Sequence, residues 1–313
     1  MNIVFMGTPD FAVESLERIY EDGHRVLAVV SQPDRKSGRG MNLVPTPVKI
    51  FAESKGIVVY QPEKIRKDLE LIEKIRQLNP DVIVVVAFGQ ILPKSILEIP
   101  QYGCINVHGS LLPKYRGAAP IQWSVINGDC MTGITTMYMD EGMDTGDMIE
   151  KFELPIEEDD TYGTLYEKLK LLGGRAITST LKKVAEGTAT REAQSEGFTM
   201  APMIKKEMGQ IDWSKTSFEI RNHVRGFNPV PGAYTQIGEE RVKVWKAEFL
   251  PADSSFWGVD AEPGTIIAKS AKEGLIVKTG DGALKLAEIQ FTNKSKMRAE
   301  DFLRGHKIEE DKL

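Results

Sequence analysis

The sequence predicts an α/β protein with an open, twisted, mostly parallel sheet covered by helices on both faces, followed by a small β-barrel domain. Two observations predict this architecture. In the first half, short apolar runs typical of buried parallel strands alternate with segments whose apolar residues recur every three or four positions. In the last third, short strand patterns follow one another, separated by glycine and Asp-Gly turns. The first pattern is typical of Rossmann-like sheets, and the second of small barrels of the oligonucleotide-binding kind.

The elements of the first half follow this alternation in order. Apolar runs predict strands at 3–6, 26–31, 58–61, 82–88 and 105–107, and a later strand pair at 135–140 and 148–154. Helical spacing predicts helices at 11–20, 47–54, 68–78 and 118–126, and a long helix at 161–185 with Thr161 as its N-cap. Ligands in such sheets bind beyond the carboxyl ends of the strands, so we expect the functional residues there.

The second part of the chain begins after a change in pattern. Residues 190–206 are polar or small and have no sustained period, which predicts a linker between a domain at 1–189 and a domain at 207–313. The second domain is predicted to contain a short helix at 217–226 and strands at 233–237, 242–249, 264–268, 275–279 and 284–291.

Composition allows two domains and excludes several classes of protein. With 313 residues, 41% of them hydrophobic, the chain can form two cores. It starts without the pattern of a secretory signal, and its longest apolar run, 82–88, is far shorter than the ~20 residues of a membrane helix. Cys104 and Cys130 are too few for a disulfide framework and lack metal-ligand spacing. We therefore expect a cytoplasmic protein that needs neither a membrane nor a metal.

The charge is slightly negative overall but unevenly distributed. A net charge of −5 argues against a uniformly basic nucleic-acid-binding protein. One connection, at 32–49, is nevertheless much longer than the roughly 2 to 6 residues usual between a strand and a helix. It contains Arg35, Lys36 and Arg39, opposed by Asp34. A long basic loop at the carboxyl edge of a sheet is suited to grip an anionic ligand such as a phosphate backbone.

The turn after the first strand reads Gly7-Thr8-Pro9-Asp10. A dinucleotide-binding turn needs three glycines and free backbone amides, whereas this turn has one glycine and a proline without an N–H. We therefore interpret Gly7 as a tight-turn glycine, and the sequence disfavours a nicotinamide cofactor.

Two polar side chains lie on one face of a predicted strand near its end. Asn106 and His108 are two residues apart and so point to the same side. An amide can donate to a developing oxyanion, and an imidazole can transfer a proton near neutral pH. A carboxylate to orient the imidazole is available in the segment that contains Asp140, Glu141, Asp144 and Asp147. Asp144 is best placed because it lies in a loop bounded by glycines, although the spacing alone does not select it.

These groups suit direct acyl transfer to an amine. The chain has no G-x-S-x-G elbow, and no cysteine stands beside His108 in a nucleophile pattern. The other histidines, His24, His223 and His306, lie on unrelated segments, so the sequence predicts no metal centre.

Three short motifs together resemble the 10-formyltetrahydrofolate-dependent formyltransferases. They are Asn106-x-His108-x-Ser110-Leu111-Leu112-Pro113, Tyr115-Arg116-Gly117 and Asp144-Thr145-Gly146. The resemblance extends over nearly the whole chain through GTPDFA, RGAAPIQ, IDW, FNPVPGAY and KVWKA. The last three of these motifs, IDW, FNPVPGAY and KVWKA, resemble the branch of the family that acts on charged tRNA.

The resemblance implies a role for each matching residue. Asn106, His108 and Asp144 would be the catalytic residues. The formyl donor, 10-formyltetrahydrofolate, would be contacted by a stretch after the strand and by a pterin wall, which together comprise Ser110, Leu111, Leu112, Pro113, Phe88, Gly89, Ile91 and Leu92. Arg39 corresponds to a basic loop that reaches the acceptor stem of initiator tRNA, with Arg35 and Lys36 beside it. The acceptor would be the α-amine of methionine on that tRNA, and the protein would act as a monomer.

Three alternatives stay open at this point. A formyltransferase acting on an amino-sugar nucleotide shares the same motifs. A dinucleotide-dependent oxidoreductase shares the general fold but not its phosphate-binding turn. A non-catalytic RNA-binding module would leave Asn106, His108 and Asp144 without a purpose.

Overall fold

A computed structural model of the protein describes residues 1–37 and 42–313. The chain forms two compact units. The first comprises Met1–Pro120, Met131–Pro155 and Tyr166–Ala201, and the second comprises Ile121–Cys130, Ile156–Leu165 and Pro202–Leu313. In the part of the chain that the structure describes, no helix is long and apolar enough to cross a membrane. The domain bounds predicted at 189 and 207 remain a prediction.

The first unit is built on a seven-stranded sheet in the order β5-β2-β1-β6-β7-β8-β9. Its strands are β1 (Asn2–Gly7), β2 (Arg25–Val30), β5 (Val59–Tyr60), β6 (Val82–Val86), β7 (Cys104–His108), β8 (Met131–Tyr138) and β9 (Met148–Pro155). The pairs from β5 to β7 are parallel, and the last two pairs are antiparallel. The predicted open, mostly parallel sheet is thus confirmed.

The helices of the first half lie close to their predicted positions. They are α1 (Asp10–Glu21), α2 (Pro47–Ser54), α3 (Leu69–Leu78), α4 (Lys94–Leu97), α5 (Pro120–Ile126) and α6 (Tyr162–Glu186). Local signals explain two of the starts, since Thr46 accepts from Lys49 N–H as the N-cap of α2 and Asp68 accepts from Leu71 N–H as the N-cap of α3. The single turn of α4 was not predicted, because four residues are too few to show a helical period.

The structure gives a different reason for a glycine at position 7 from the one that the sequence suggested. Its φ is not positive, so it does not supply a left-handed turn. A Cβ at this position would instead lie 2.7 Å from Phe5 Cε1 and 2.8 Å from Ala12 Cβ. Glycine is therefore needed where α1 packs closely against β1, which corrects the tight-turn interpretation.

The basic connection contains an antiparallel strand pair where the sequence predicted a loop. β3 (Arg35–Ser37) pairs with β4 (Asn42–Val44). At its base, Lys49 Nζ donates to Asp34 Oδ2 at 2.6 Å and Gln61 Nε2 donates to Asp34 Oδ1 at 2.6 Å. Three residues per strand, without a sustained alternation of apolar side chains, leave little signal for sequence reasoning.

The second unit contains an antiparallel sheet in the order β10-β11-β14-β13-β12, with β15 paired to β14. Its elements are α7 (Ser217–Phe227), β10 (Ala233–Ile237), β11 (Glu240–Phe249), β12 (Ile266–Ser270), β13 (Gly274–Lys278), β14 (Ala283–Phe291), β15 (Met297–Arg298) and α8 (Ala299–Gly305). Thr216 and Glu219 form a capping box at the start of α7. This unit confirms the predicted small barrel-like domain and adds β15 and α8.

Two segments from earlier in the chain belong to the second unit. Trp123 Nε1 donates to Pro202 O at 2.8 Å. Arg225 on α7 donates from Nε to Asp160 O at 2.7 Å and from Nη2 to Glu157 O at 3.0 Å. Residues 121–130 and 156–165 are therefore held by direct hydrogen bonds within this unit.

The burial of His223 predicts that the second unit loses stability in acid. Burial lowers the pKa of His223, an effect partly offset by a backbone hydrogen bond involving Gly209. Its Nε2 has no hydrogen-bond partner among the described residues, and the ring stacks on Phe227 at 4.3 Å. The unfolded chain takes up this proton near pH 6.5 and the folded chain only at lower pH, so the free energy of unfolding falls as pH drops below 6.5.

The predicted result is a lower melting temperature at pH 5 than at pH 7, with a smaller difference in His223→Phe. Phenylalanine keeps the stacked ring but cannot bind a proton. Burial also lowers the pKa of His24, but that contribution is the same in both proteins and cancels in the comparison. Calorimetric melting at the two pH values measures the difference, and equal pH dependence in both proteins would contradict the prediction.

Candidate active site

β7 carries the two polar side chains into the carboxyl edge of the parallel strands. The strand lies between β6 and β8 and is buried along its whole length. Asn106 is 9% exposed and His108 is 6% exposed. Since they are two residues apart on a strand, both point to one face. The position agrees with the general location of ligand sites in open α/β sheets.

Asp144 reaches both of these side chains. Asn106 Nδ2 donates to Asp144 Oδ1 at 3.3 Å, and His108 Nδ1 lies 3.7 Å from Asp144 Oδ2. Gly117 N–H donates to the same Oδ2 at 2.8 Å. The structure thus brings together the three residues that the sequence proposed as catalytic. It places them as neighbours, and their roles in a reaction remain predictions.

Two of the neighbouring carboxylates are engaged elsewhere, and Glu141 is exposed. Asp140 Oδ1 accepts from Gly142 N–H at 3.0 Å and from Thr145 Oγ1 at 2.6 Å, so it stabilises its own loop. Asp147 lies 3.8 Å from Arg191. Of the carboxylates that sequence spacing left open, Asp144 is the one that lies beside Asn106 and His108.

The loop after β7 orients the imidazole. His108 Nε2 lies 2.9 Å from Tyr115 O, and because a carbonyl only accepts, Nε2 carries the hydrogen in this bond. Nδ1 is then the ring atom that faces Asp144. The loop itself is fixed by Thr135 on β8, whose Oγ1 donates to Ser110 O at 2.7 Å and accepts from Leu112 N–H at 3.0 Å.

This arrangement can stabilise two negative charges, that of the Asp144 carboxylate and one that develops on a reacting oxygen. An ionised carboxylate only accepts hydrogen bonds, and Asp144 is faced by the N–H groups of Asn106 and Gly117. The amide nitrogen of Asn106 has two hydrogens, so one can hold Asp144 while the other is offered to a reacting oxygen. A protonated His108 would present Nδ1–H on the same side.

The residues predicted to contact the folate fall into two groups. Phe88 and Leu92 are buried in the hydrophobic core beside β6, and Leu112 packs in a small cluster with Met137 and Met148. Ser110 is also buried, with Oγ donating to Lys114 O at 2.6 Å. The remaining residues, Gly89, Ile91, Leu111 and Pro113, are exposed or partly exposed, and Ile91 reaches 66%. Direct contact with a ligand is available to this second group.

The cationic residues on the β3–β4 arm are only partly described. Arg35 and Lys36 are exposed on β3. Arg39 lies outside the described residues. Gln32 Nε2 and Thr8 Oγ1 both donate to the carbonyl of Phe88, a residue predicted to contact the pterin, each at 3.1 Å.

Sequence reasoning missed the partners that hold the three residues in place. Tyr115 O, Gly117 N–H and Thr135 Oγ1 act through backbone atoms or a common hydroxyl, for which sequence gives no signal. Gln194 donates to the backbone of the Asp144 loop but lies in the stretch predicted as a linker. Within 1–37 and 42–313, no group of three or more His, Cys, Asp or Glu residues is arranged to hold a metal ion.

Comparison with known families covers both halves of the chain. A model described as "Formyl transferase" matches residues 1–181. A second model, described as "Formyl transferase, C-terminal domain", matches residues 203–307.

Individual relatives match at full length. A methionyl-tRNA formyltransferase of Caldanaerobacter subterraneus subsp. tengcongensis is 51% identical over 311 residues, covering 99% of this chain and 98% of that protein. One of Clostridioides difficile is 53% identical over 310 residues, covering 99% and 98%. Among solved structures, the N-formyltransferase from Helicobacter canadensis, in complex with folinic acid and dTDP-3-aminofucose, has a TM-score of 0.66 at 22% identity and covers 92% of this chain and 98% of that one. This last likeness concerns the fold.

Proposed function

This chain belongs to the formyl transferase family, and we propose that it transfers the formyl group of 10-formyltetrahydrofolate to the α-amine of methionine esterified to initiator tRNA. The observation that carries the proposal is the grouping of Asn106 and His108 around the Asp144 carboxylate. Full-length relatives at 51% and 53% identity carry the matching name. The product serves translation initiation.

The reaction follows from the chemistry of the donor. The amine nitrogen forms a bond to the formyl carbon, and the carbonyl oxygen becomes an oxyanion in a tetrahedral intermediate. The bond from that carbon to N10 of the folate then breaks. N10 receives the proton that the nitrogen loses after attack, and an earlier proton is lost when the α-ammonium becomes the nucleophilic amine. No covalent bond to the enzyme is needed, which fits a site whose polar groups are an amide, an imidazole and a carboxylate.

Each side chain has a role in this scheme. The free N–H of Asn106 and a protonated His108 face the oxyanion, and one such donor in a dry site contributes ~3 kcal/mol of transition-state stabilisation. Asp144 orients His108 and accepts the ammonium proton through water. Gly89, Ile91, Leu111 and Pro113 contact the pterin, while Phe88, Leu92, Ser110 and Leu112 support them from beneath.

The test is a formylation assay with two acceptors. Purified protein is incubated with 10-formyltetrahydrofolate and charged initiator tRNA, and formylmethionine is measured after hydrolysis of the ester. A parallel reaction contains an amino-sugar nucleotide, the acceptor class of the more distant alternative. Formylation of the sugar and not of methionyl-tRNA would overturn the proposal.

The proposed setting follows from the acceptor. Charged tRNA is a cytoplasmic molecule, so we place the protein there. We also propose that it acts as a monomer, as the resemblance to the family implies.

The acceptor requires cations, and several cations of the second unit are already paired with carboxylates. Lys246, Lys296 and Arg298 each lie within 3.4 Å of a glutamate, at 2.8, 2.6 and 3.4 Å. Lys294 Nζ lies 2.8 Å from His306 Nε2. Lys243 instead donates to a carbonyl, Pro231 O at 3.5 Å, and its Nζ lies 5.2 Å from the centre of the Trp245 ring. A cation beside a partly exposed aromatic ring is a suitable contact for a nucleic acid backbone.

Lys243→Met is therefore expected to weaken binding of charged tRNA several-fold and to reduce the salt dependence. One lost phosphate contact lowers the slope of log affinity against log salt by about 1. Filter binding at several salt concentrations measures this slope. The control is Lys272→Met, a change of the same kind on the exposed turn between β12 and β13. An unchanged slope in Lys243→Met would show that Lys243 makes no phosphate contact.

A further inference from the structure

Gln194 stands apart from the rest of its segment. Residues 190–200 are exposed except for Gln194, which is half-buried. This stretch was predicted as a linker, yet Glu192 and Met200 bridge to Met148 and Arg116 in the first unit. The chain therefore runs along the site, with one side chain turned inward.

The amide of Gln194 joins two loops. Its Nε2 donates to Asp144 O at 2.8 Å and to Gly146 O at 2.9 Å. Its Oε1 accepts from Arg116 Nε at 2.9 Å and from Arg116 Nη2 at 2.7 Å. Both hydrogens and both lone pairs of the amide are thus used.

These contacts fix the orientation of the amide. If it were turned by half a revolution, its oxygen would face two carbonyl oxygens and its NH₂ group would face a guanidinium. Both of these contacts would bring charges or dipoles of like sign together. Neither glutamate nor an apolar residue could make all four of these hydrogen bonds, so this position requires glutamine.

The two loops are the ones that set the site. Asp144 has φ of 54°, a left-handed conformation that residues other than glycine adopt only where the surroundings hold it. On the other side, Arg116 lies between Tyr115, whose carbonyl holds His108 Nε2, and Gly117, whose N–H holds the Asp144 carboxylate. Gln194 binds the backbone of the first loop and the side chain of the second.

We propose that Gln194 is a positioning residue that sets the spacing of His108 and Asp144. It touches neither donor nor acceptor and acts by fixing the loop of Asp144 against the loop that orients the imidazole. The inference rests on the proposed function, because the effect on rate is expressed through formyl transfer. Its effect on the geometry of His108 does not depend on that function.

Two variants test it. Gln194→Met removes all four hydrogen bonds at similar size. Gln194→Glu keeps the acceptor for Arg116 but places a second oxygen against Asp144 O and Gly146 O. Both are expected to lower kcat about a hundredfold, the effect of a small misplacement of reacting groups, with KM for tRNA changed less than about twofold. The control is Gln101→Met, at an exposed glutamine before β7.

A second readout follows the ring itself. Nitrogen NMR of ¹⁵N-histidine protein reports both ring nitrogens of His108, whose signals are identified by their loss in His108→Asn. We expect these signals to shift in both Gln194 variants and not in Gln101→Met. If kcat is retained in Gln194→Glu, or if kcat falls while the His108 signals stay unchanged, the proposal is overturned.

The two hypotheses fail separately. If the unaltered protein makes no formylmethionine, the proposed function is wrong, and the His108 signals still decide whether Gln194 positions the ring. If the unaltered protein is active and the Gln194 variants match it, the function stands and the positioning role is excluded.

Discussion

Asp144→Asn is expected to lower kcat for formyl transfer by roughly 10²–10⁴-fold, the range typical of a lost acid–base residue. The carboxylate accepts from Asn106 on one oxygen and from Gly117 N–H on the other. Whichever way an asparagine amide turns, its NH₂ group faces one of these two donors. The variant therefore loses the negative charge beside His108 and one of the two hydrogen bonds that hold the side chain.

The matched control lies in the same loop. Asp147→Asn removes a carboxylate that is 3.8 Å from Arg191 and outside the group around His108, so its kcat is expected to stay within about twofold. Steady-state rates with charged initiator tRNA decide the comparison. Equal rates for Asp144→Asn and Asp147→Asn would remove Asp144 from the mechanism.

Asn106→Ala is expected to lower kcat by roughly 10²–10³-fold, as removal of one oxyanion donor does in other enzymes. Alanine removes the N–H that faces the reacting oxygen and the one that donates to Asp144 at 3.3 Å. Because the oxyanion exists only in the transition state and intermediate, KM for both substrates should change little. Rates at saturating donor and acceptor measure the effect.

Cys104→Ala provides the control on the same face of the same strand. Cys104 is buried, and burial raises the pKa of its thiol to about 12, so it is not a thiolate nucleophile at neutral pH. The variant removes a thiol that donates weakly to the carbonyls of Ile96 and Leu97, at 3.9 and 4.0 Å, but it removes no donor from the group around Asp144, so it should retain kcat. A comparable loss in both variants would mean that Asn106→Ala acts by disturbing the strand.

The sequence predicted the sheet because it contains short, largely apolar runs, of which β6, VIVVV, is the clearest. β6 and β7 are buried at every position, and this is the pattern of a parallel strand covered on both faces. The fixed period of a strand also placed Asn106 and His108 on one side. Elements with too few residues for a period, such as α4, β3 and β15, gave no such signal.

The closing of the site could not be predicted in the same way. Asp144 was one of four carboxylates in its segment, and only the fold brings its loop to β7. The position of Gln194 depends on a chain segment that passes the site without regular structure, so its neighbours in sequence say nothing about Asp144 or Arg116. The positions of Asp144 and Gln194 depend on contacts between irregular segments that are distant in sequence, and a local sequence pattern does not predict such contacts.

The second unit is assembled from three separate segments of the chain, and this limits how genes of this family can recombine. Two stretches of the second unit, for which we propose tRNA binding, are encoded among the codons of the first unit. They are Ile121–Cys130 and Ile156–Leu165. A single crossover between two related genes would therefore combine a helix α7 from one parent with the segment of the other that carries Glu158 and Asp159, the carboxylates paired with Arg221. Recombination at one point yields mismatched halves, so the two units are expected to be inherited together rather than shuffled as separate modules.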